Sequence, residues 1–165
     1  MERFFKYTLT ILISVVAAME FYQVIMRYIL ELPVMGLEEL LVYPTLWLYF
    51  LGSVNASRED TQIKANVLDI FLKTERAKLK VRVVADFMSV IVSSWLTYWA
   101  WDYFMYALRV WKESPTLYIP TFFAECALFI GMACMTFFAM KYLALHSRAL
   151  FTATEPEEEG ALSWR

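Results

Sequence analysis

Residues 119–142 read IPTFFAECALFIGMACMTFFAMKY, with no charged side chain between Glu125 and Lys141. An α-helix rises 1.5 Å per residue, so this run covers about 36 Å, enough to cross the hydrocarbon core of a bilayer. Three more stretches share its length and character, at residues 7–28, 37–56 and 83–108, and none carries a Lys or Arg near its centre. In lipid every backbone N–H and C=O must find a partner inside the protein, so such segments are helices. The sequence predicts an all-α integral membrane protein with four transmembrane helices, held in one membrane domain over residues 1–150.

The composition agrees. Of 165 residues, 60% are hydrophobic and only 19% charged, and mean hydropathy is +0.48. A soluble domain would be about a quarter charged. A net charge of −2 gives no electrostatic footprint for nucleic acid. Cys126 and Cys134 share one apolar run, which rules out a disulfide framework. The single histidine, His146, cannot alone supply a multi-histidine zinc site or both axial ligands of a haem. That counts against a haem-anchoring redox subunit. No nucleophile–base pair, metal-ligand cluster or CxxC motif is present, so neither an enzyme nor a cofactor is expected in this chain.

The first span also resembles a signal peptide, with Arg3 and Lys6 before it and Ala17-Ala18 within it. Its apolar stretch continues through Phe21, Val24, Ile25 and Met26, which favours a retained helix. Orientation follows from cations. The loop between spans two and three holds Arg58, Lys64, Lys73, Arg76, Lys78, Lys80 and Arg82, and the same side gains Arg3, Lys6, Lys141 and Arg148. The other two loops hold Arg27, Arg109 and Lys112. The positive-inside rule then places both termini in the cytoplasm. Within the basic loop, Ile63, Val67, Ile70 and Phe71 recur at helical spacing. This predicts an amphipathic helix over residues 61–80, lying among lipid headgroups. Residues 151–165, with Glu157, Glu158 and Glu159, read as a disordered acidic tail.

Polar groups at membrane depth are expensive and therefore informative. Glu20, Gln23 and Arg27 share one helical face, a structural seam in which another helix satisfies Glu20. Asp86, Ser89, Ser93 and Thr97 form a second stripe, with Asp86 expected to pair with a basic neighbour. Small side chains at Ala124, Ala127 and Gly131 suit close helix contact, and Cys126 and Cys134 read as small apolar fillers. Trp95, Trp99, Trp101 and Trp111 read as an interfacial aromatic belt. Glu38 and Glu39 suit a first helical turn, and Pro44 predicts a kink.

The run Glu38-Glu39-Leu40, Tyr43, Trp47, Phe50-Leu51-Gly52-Ser53, Arg58 and Gln62-Ile63 resembles the small membrane subunit of tripartite ATP-independent periplasmic (TRAP) transporters. The Arg27-Tyr28 pair and the Ser114-Pro115 to Pro120 stretch are similar to that family too. The sequence departs from the pattern at Gly36, Val42, Gln62 and Asn66, where the family often has Trp, Arg, His and Asp. The resemblance implies a protein of the bacterial inner membrane. A periplasmic binding protein would deliver an organic acid, and a large permease subunit would carry it inward with Na⁺. This chain would be a scaffold partner of that permease. Its candidate partner-facing residues are Glu20, Gln23, Arg27, Glu38, Glu39, Trp47, Gly52 and Arg58. A second reading, a small proton-coupled exporter acting as a homodimer, would make Glu20 the exchanging carboxylate. The long basic loop and acidic tail suit it poorly.

Overall fold

The computed structural model describes residues 2–32, 35–59 and 75–152. Four long helices account for most of them: α1 (Glu2–Val24), α2 (Leu37–Glu59), α3 (Glu75–Val110) and α4 (Phe122–Thr152). The chain is all-α. A π-turn, Ile25–Ile29, extends α1, with the Leu30 N–H donating to the Ile25 carbonyl at 3.1 Å. The α1 unit (Arg3–Ile29) and α4 (Phe122–Phe151) are each long and apolar enough to cross a membrane. Among the described residues α2 and α3 fall short of that apolarity. In α3 the reason is visible, because Trp and Tyr supply much of its bulk while Ser, Thr and Asp line its contact face.

The helices overrun the expected spans. Residues 75–82, with Lys78 and Lys80, continue α3 instead of belonging to a separate interfacial helix, which corrects the 61–80 boundary. Ile63, Val67, Ile70 and Phe71 lie outside the described residues, as does the acidic tail from residue 153. Helix α4 begins at Phe122, three residues later than expected, because residues 112–121 form a tight turn. There the Ser114 N–H donates to the Ile119 carbonyl, and the Thr121 N–H to the Lys112 carbonyl, each at 2.9 Å.

Helix α1 packs on α2, α2 on α4, and α4 on α3, with no comparable packing between other pairs among the described residues. The result is an open single layer, ordered α1–α2–α4–α3, and not a closed bundle. Each edge helix touches one neighbour, so each needs one contact stripe. On α1 the stripe is Phe5, Leu9, Leu12, Val16, Met19, Gln23 and Met26; on α3 it is Val83, Asp86, Val90, Ser93, Thr97, Ala100, Phe104 and Ala107. Both alternate three and four residues, the 3.5-residue period at which one helix follows another. Ser89 lies off the α3 stripe, exposed and bonded back to the Ala85 carbonyl, which corrects its place in the expected seam.

The buried residues are small: Val54, Ala100, Ala107, Ala124 and Ala127, with Ser57, Ser114 and Thr136. Small side chains let backbones approach, which suits membrane packing, where lipid offers no hydrophobic drive between helices. Large apolar side chains point outward instead, among them Phe21, Trp95, Tyr98 and Phe137. A soluble protein rarely exposes an apolar surface of this extent. All four of Trp95, Trp99, Trp101 and Trp111 are exposed, as a belt requires, and Trp101 and Trp111 also stack within the chain, on Phe104 (5.9 Å) and Phe122 (5.4 Å).

Helices α2 and α4 approach closely at Gly131, where a Cβ would lie 2.7 Å from the Cβ of Phe50. Gly131→Leu should therefore force the two helices apart, and over-packing of this kind costs about 1–3 kcal/mol or more. The measurable result is a smaller fraction of protein staying soluble when detergent-extracted membranes are heated. Gly131→Ala should lower the fraction less, and adding Phe50→Ala should recover only part of that loss, because alanine at position 50 keeps the Cβ that the new methyl would meet.

Candidate functional site

Both helical hairpins turn at the same end of the layer, and three side chains of α2 hold them together there. Glu39, Tyr43 and Trp47 are spaced four residues apart and form one ridge. The Glu39 carboxylate accepts hydrogen bonds from the Ser114 hydroxyl, the Thr116 N–H (3.1 Å), the Thr116 hydroxyl (2.8 Å) and the Leu117 N–H (3.3 Å). One turn on, the Tyr43 hydroxyl lies 3.2 Å from both the Ile119 and the Pro120 carbonyl oxygens. A further turn on, the Trp47 indole N–H donates to the Phe123 carbonyl at 3.0 Å. Gly36 completes the fit. Its φ is +90°, and a Cβ there would lie 2.9 Å from Leu117. A side chain at this position would meet both backbone strain and collision.

The first turn of α2 also reaches α1. Glu38 Oε1 accepts the Gln23 amide at 2.9 Å and lies 3.5 Å from Arg27 Nη1. Between these groups opens a cleft of about 670 Å³, lined by Gln23, Arg27, Glu31, Met35, Glu38 and Thr116 among others.

The opposite end is tied differently. The Tyr142 hydroxyl donates to the Arg58 carbonyl at 2.5 Å, joining α4 to α2. The Arg58 guanidinium pairs with Glu59 at 2.8 Å and lies over the Phe5 ring of α1. On α4 His146 stacks beside Tyr142, and its Nδ1 lies 2.5 Å from Asp86 Oδ2 of α3. Asp86 thus does have a basic neighbour, the one histidine of the chain. Midway along α3 and α4, the Thr97 and Thr136 hydroxyls meet at 2.7 Å.

Six of the eight residues expected to face a partner are therefore engaged within the chain: Gln23, Arg27, Glu38, Glu39, Trp47 and Arg58. The other two differ. Glu20 is exposed, with no hydrogen bond or ion pair among the described residues, so the expectation that another helix satisfies it is not met within this layer. Gly52 has open space where a Cβ would be. The backbone acceptors and donors of the 114–123 segment, Tyr142 and the His146–Asp86 pair were not foreseen. One signal was available: a carboxylate on a 3.5-residue contact stripe, as Asp86 is, requires a partner across it.

Glu39→Ala would leave two backbone amides and two hydroxyls of the second hairpin without their acceptor. Hydrogen exchange at Thr116 and Leu117 should then quicken by roughly an order of magnitude or more. Glu39→Gln, which keeps one acceptor oxygen, should fall between Ala and wild type.

No curated protein matches the chain. A family model does, over residues 16–149, and that match runs from the middle of α1 nearly to the end of α4. It is described as tripartite ATP-independent periplasmic transporters, DctQ component. With four fifths of its length matched, and with an all-α fold suited to a membrane, the chain belongs to the DctQ family, the small membrane component of TRAP transporters.

Proposed function

We propose that this chain is a fixed scaffold partner of a large permease subunit. The assembly would import an organic acid (a carboxylate, sugar acid or sulfonate) with Na⁺, after delivery by a periplasmic binding protein. The observation that carries the reading is the open single layer. A layer one helix thick encloses no pathway of its own, yet it presents long apolar faces to whatever lies beside it. Its described polar groups meet one another across helix contacts, as Thr97 and Thr136 do.

In this reading the layer crosses the bacterial inner membrane four times, with both termini in the cytoplasm. Lys78, Lys80 and Arg82 at the start of α3, with Arg58 at the end of α2, then lie on the cytoplasmic side, as the cation distribution requires. The hairpin end with its 670 Å³ cleft faces the periplasm. Ahead of α3, Ile63, Val67, Ile70 and Phe71 would dip into the acyl boundary, as their helical spacing suggests. Gln23, Arg27, Glu38, Glu39, Trp47 and Arg58 serve the interface by fixing the shape of the layer, whereas Glu20 and Gly52 are available to touch the partner. Na⁺ and substrate are handled by the other subunits.

Expressed without the large subunit, the chain should aggregate in detergent or be degraded, and co-expression should recover both subunits as one species by size-exclusion chromatography. A monodisperse, transport-competent preparation of this chain alone would overturn the reading. Cysteines introduced at positions 63, 67, 70 and 71 should react more slowly with a polar maleimide than those at 64 and 73. Equal rates would make the segment a plain solvated loop.

A further inference from the structure

Glu20 lies seven residues before Arg27, about 10 Å deeper along α1. A glutamate side chain is too short to reach the membrane surface from there, and a bare carboxylate is costly in lipid. The one nearby donor, the Gln23 amide, is turned to Glu38. Glu20 is exposed on a helix whose contact stripe toward α2 passes through Met19 and Gln23, so it flanks that stripe on one side.

The two flanks of the stripe differ in chemistry. On the side of Glu20 stand Lys6, Thr10, Ile13, Ala17 and Val24; on the other stand Phe4, Ile11, Val15, Ala18 and Tyr22. The first flank offers a carboxyl group with no partner among the described residues, beside the small Ala17, and the second is apolar and ends in aromatic rings. We propose that the Glu20 flank of α1 is the docking side, and that it receives a membrane-spanning helix of the large permease subunit. That helix would carry a Lys, Arg or protonated His at the depth of Glu20. Charge complementarity selects this occupant. A second copy of this chain in the same membrane orientation would set Glu20 at the depth of another Glu20, with Lys6 of that flank about 21 Å away, and lipid tails offer no donor. The inference rests on the scaffold reading above.

Tryptophan substitution along α1 in the co-expressed complex tests it. Trp at Ile13, Ala17 or Val24 should cut recovery of the large subunit with this affinity-tagged chain by about tenfold or more, the loss expected when a desolvated charge pair is broken. Trp at Ile11, Val15 or Ala18 should leave recovery within about twofold of wild type, since lipid accommodates the added ring. Glu20→Leu and Glu20→Gln should both fall with the first group, since neither leaves a charge to pair with the partner's cation, with Gln, which still offers an acceptor oxygen, the milder of the two. The amount of tagged chain in the membrane, measured in every variant, separates lost docking from lost folding. Equal tolerance on both flanks, or sensitivity on the Ile11 side alone, would overturn the docking side while leaving the scaffold reading intact. Recovery of a differently tagged second copy that fails in the same variants would also overturn it. Failure of the wild-type chain to recover the large subunit at all would overturn both readings.

Discussion

Joining two helical hairpins side by side in lipid requires a directional interaction, because apolar faces gain little by leaving lipid for one another. The Glu39 carboxylate supplies it. It stands in the first turn of α2 and takes four hydrogen bonds from the turn that connects α3 to α4. Thr116 and Leu117 are exposed in that turn, so the carboxylate takes the place of water there and fixes the turn to α2. Tyr43 and Trp47 extend the same ridge onto the carbonyls of residues 119, 120 and 123, around the start of α4. The α1–α2 hairpin is thereby locked to the α3–α4 hairpin in one register. Phe50 against Gly131 and the buried Val54 and Ser57 follow from that register along α2.

A parallel α2–α4 pair at the centre explains the single-layer form. Helix α2 receives α1 on one side and α4 on the other, and α4 does the same for α2 and α3. The edge helices then need only one narrow stripe each, spaced at 3.5 residues and built at its tightest points from Ala100 and Ala107. The ends of the layer close by unlike chemistry. At the hairpin end the cement is carboxylate to backbone. At the other it is Tyr142 to the Arg58 carbonyl and His146 to Asp86. With both ends pinned, the helices have little freedom to slide, a property that suits a scaffold better than a moving element.

The sequence made the helices legible because their apolar runs are long, and it made both acidic residues of the first α2 turn legible as helix-start residues. What it hid was how the helices pair. Glu39 meets Ser114, Thr116 and Leu117 across more than seventy residues, and Asp86 meets His146 across sixty, so no local spacing announces either contact. The contact stripes were hidden for a different reason. In water an amphipathic helix betrays its buried side by contrast with a polar one, but here both sides of α1 and α3 are apolar and the contrast vanishes. Polar spacing along α3 picks out Ser93 and Thr97, which do lie on the contact, and also Ser89, which satisfies itself on its own backbone. The end of the expected interfacial segment was misplaced because Lys78 and Lys80 are equally compatible with a loop, a surface helix and the first turns of α3.

The same reasoning explains why motif residues and partner-facing residues part company. Glu38, Glu39, Trp47 and Arg58 belong to the run that marks the family, yet in this fold each meets another part of its own chain. A motif that fixes the register of a scaffold needs the same residues whatever cargo the assembly carries. A surface that matches a particular permease must instead follow that permease's own side chains. On that logic the family-like run belongs in the contacts that α2 makes with α1 and α4. In the proposed scaffold, the determinants of which large subunit is accepted would belong on exposed positions outside that run, as Glu20 and Ala17 are.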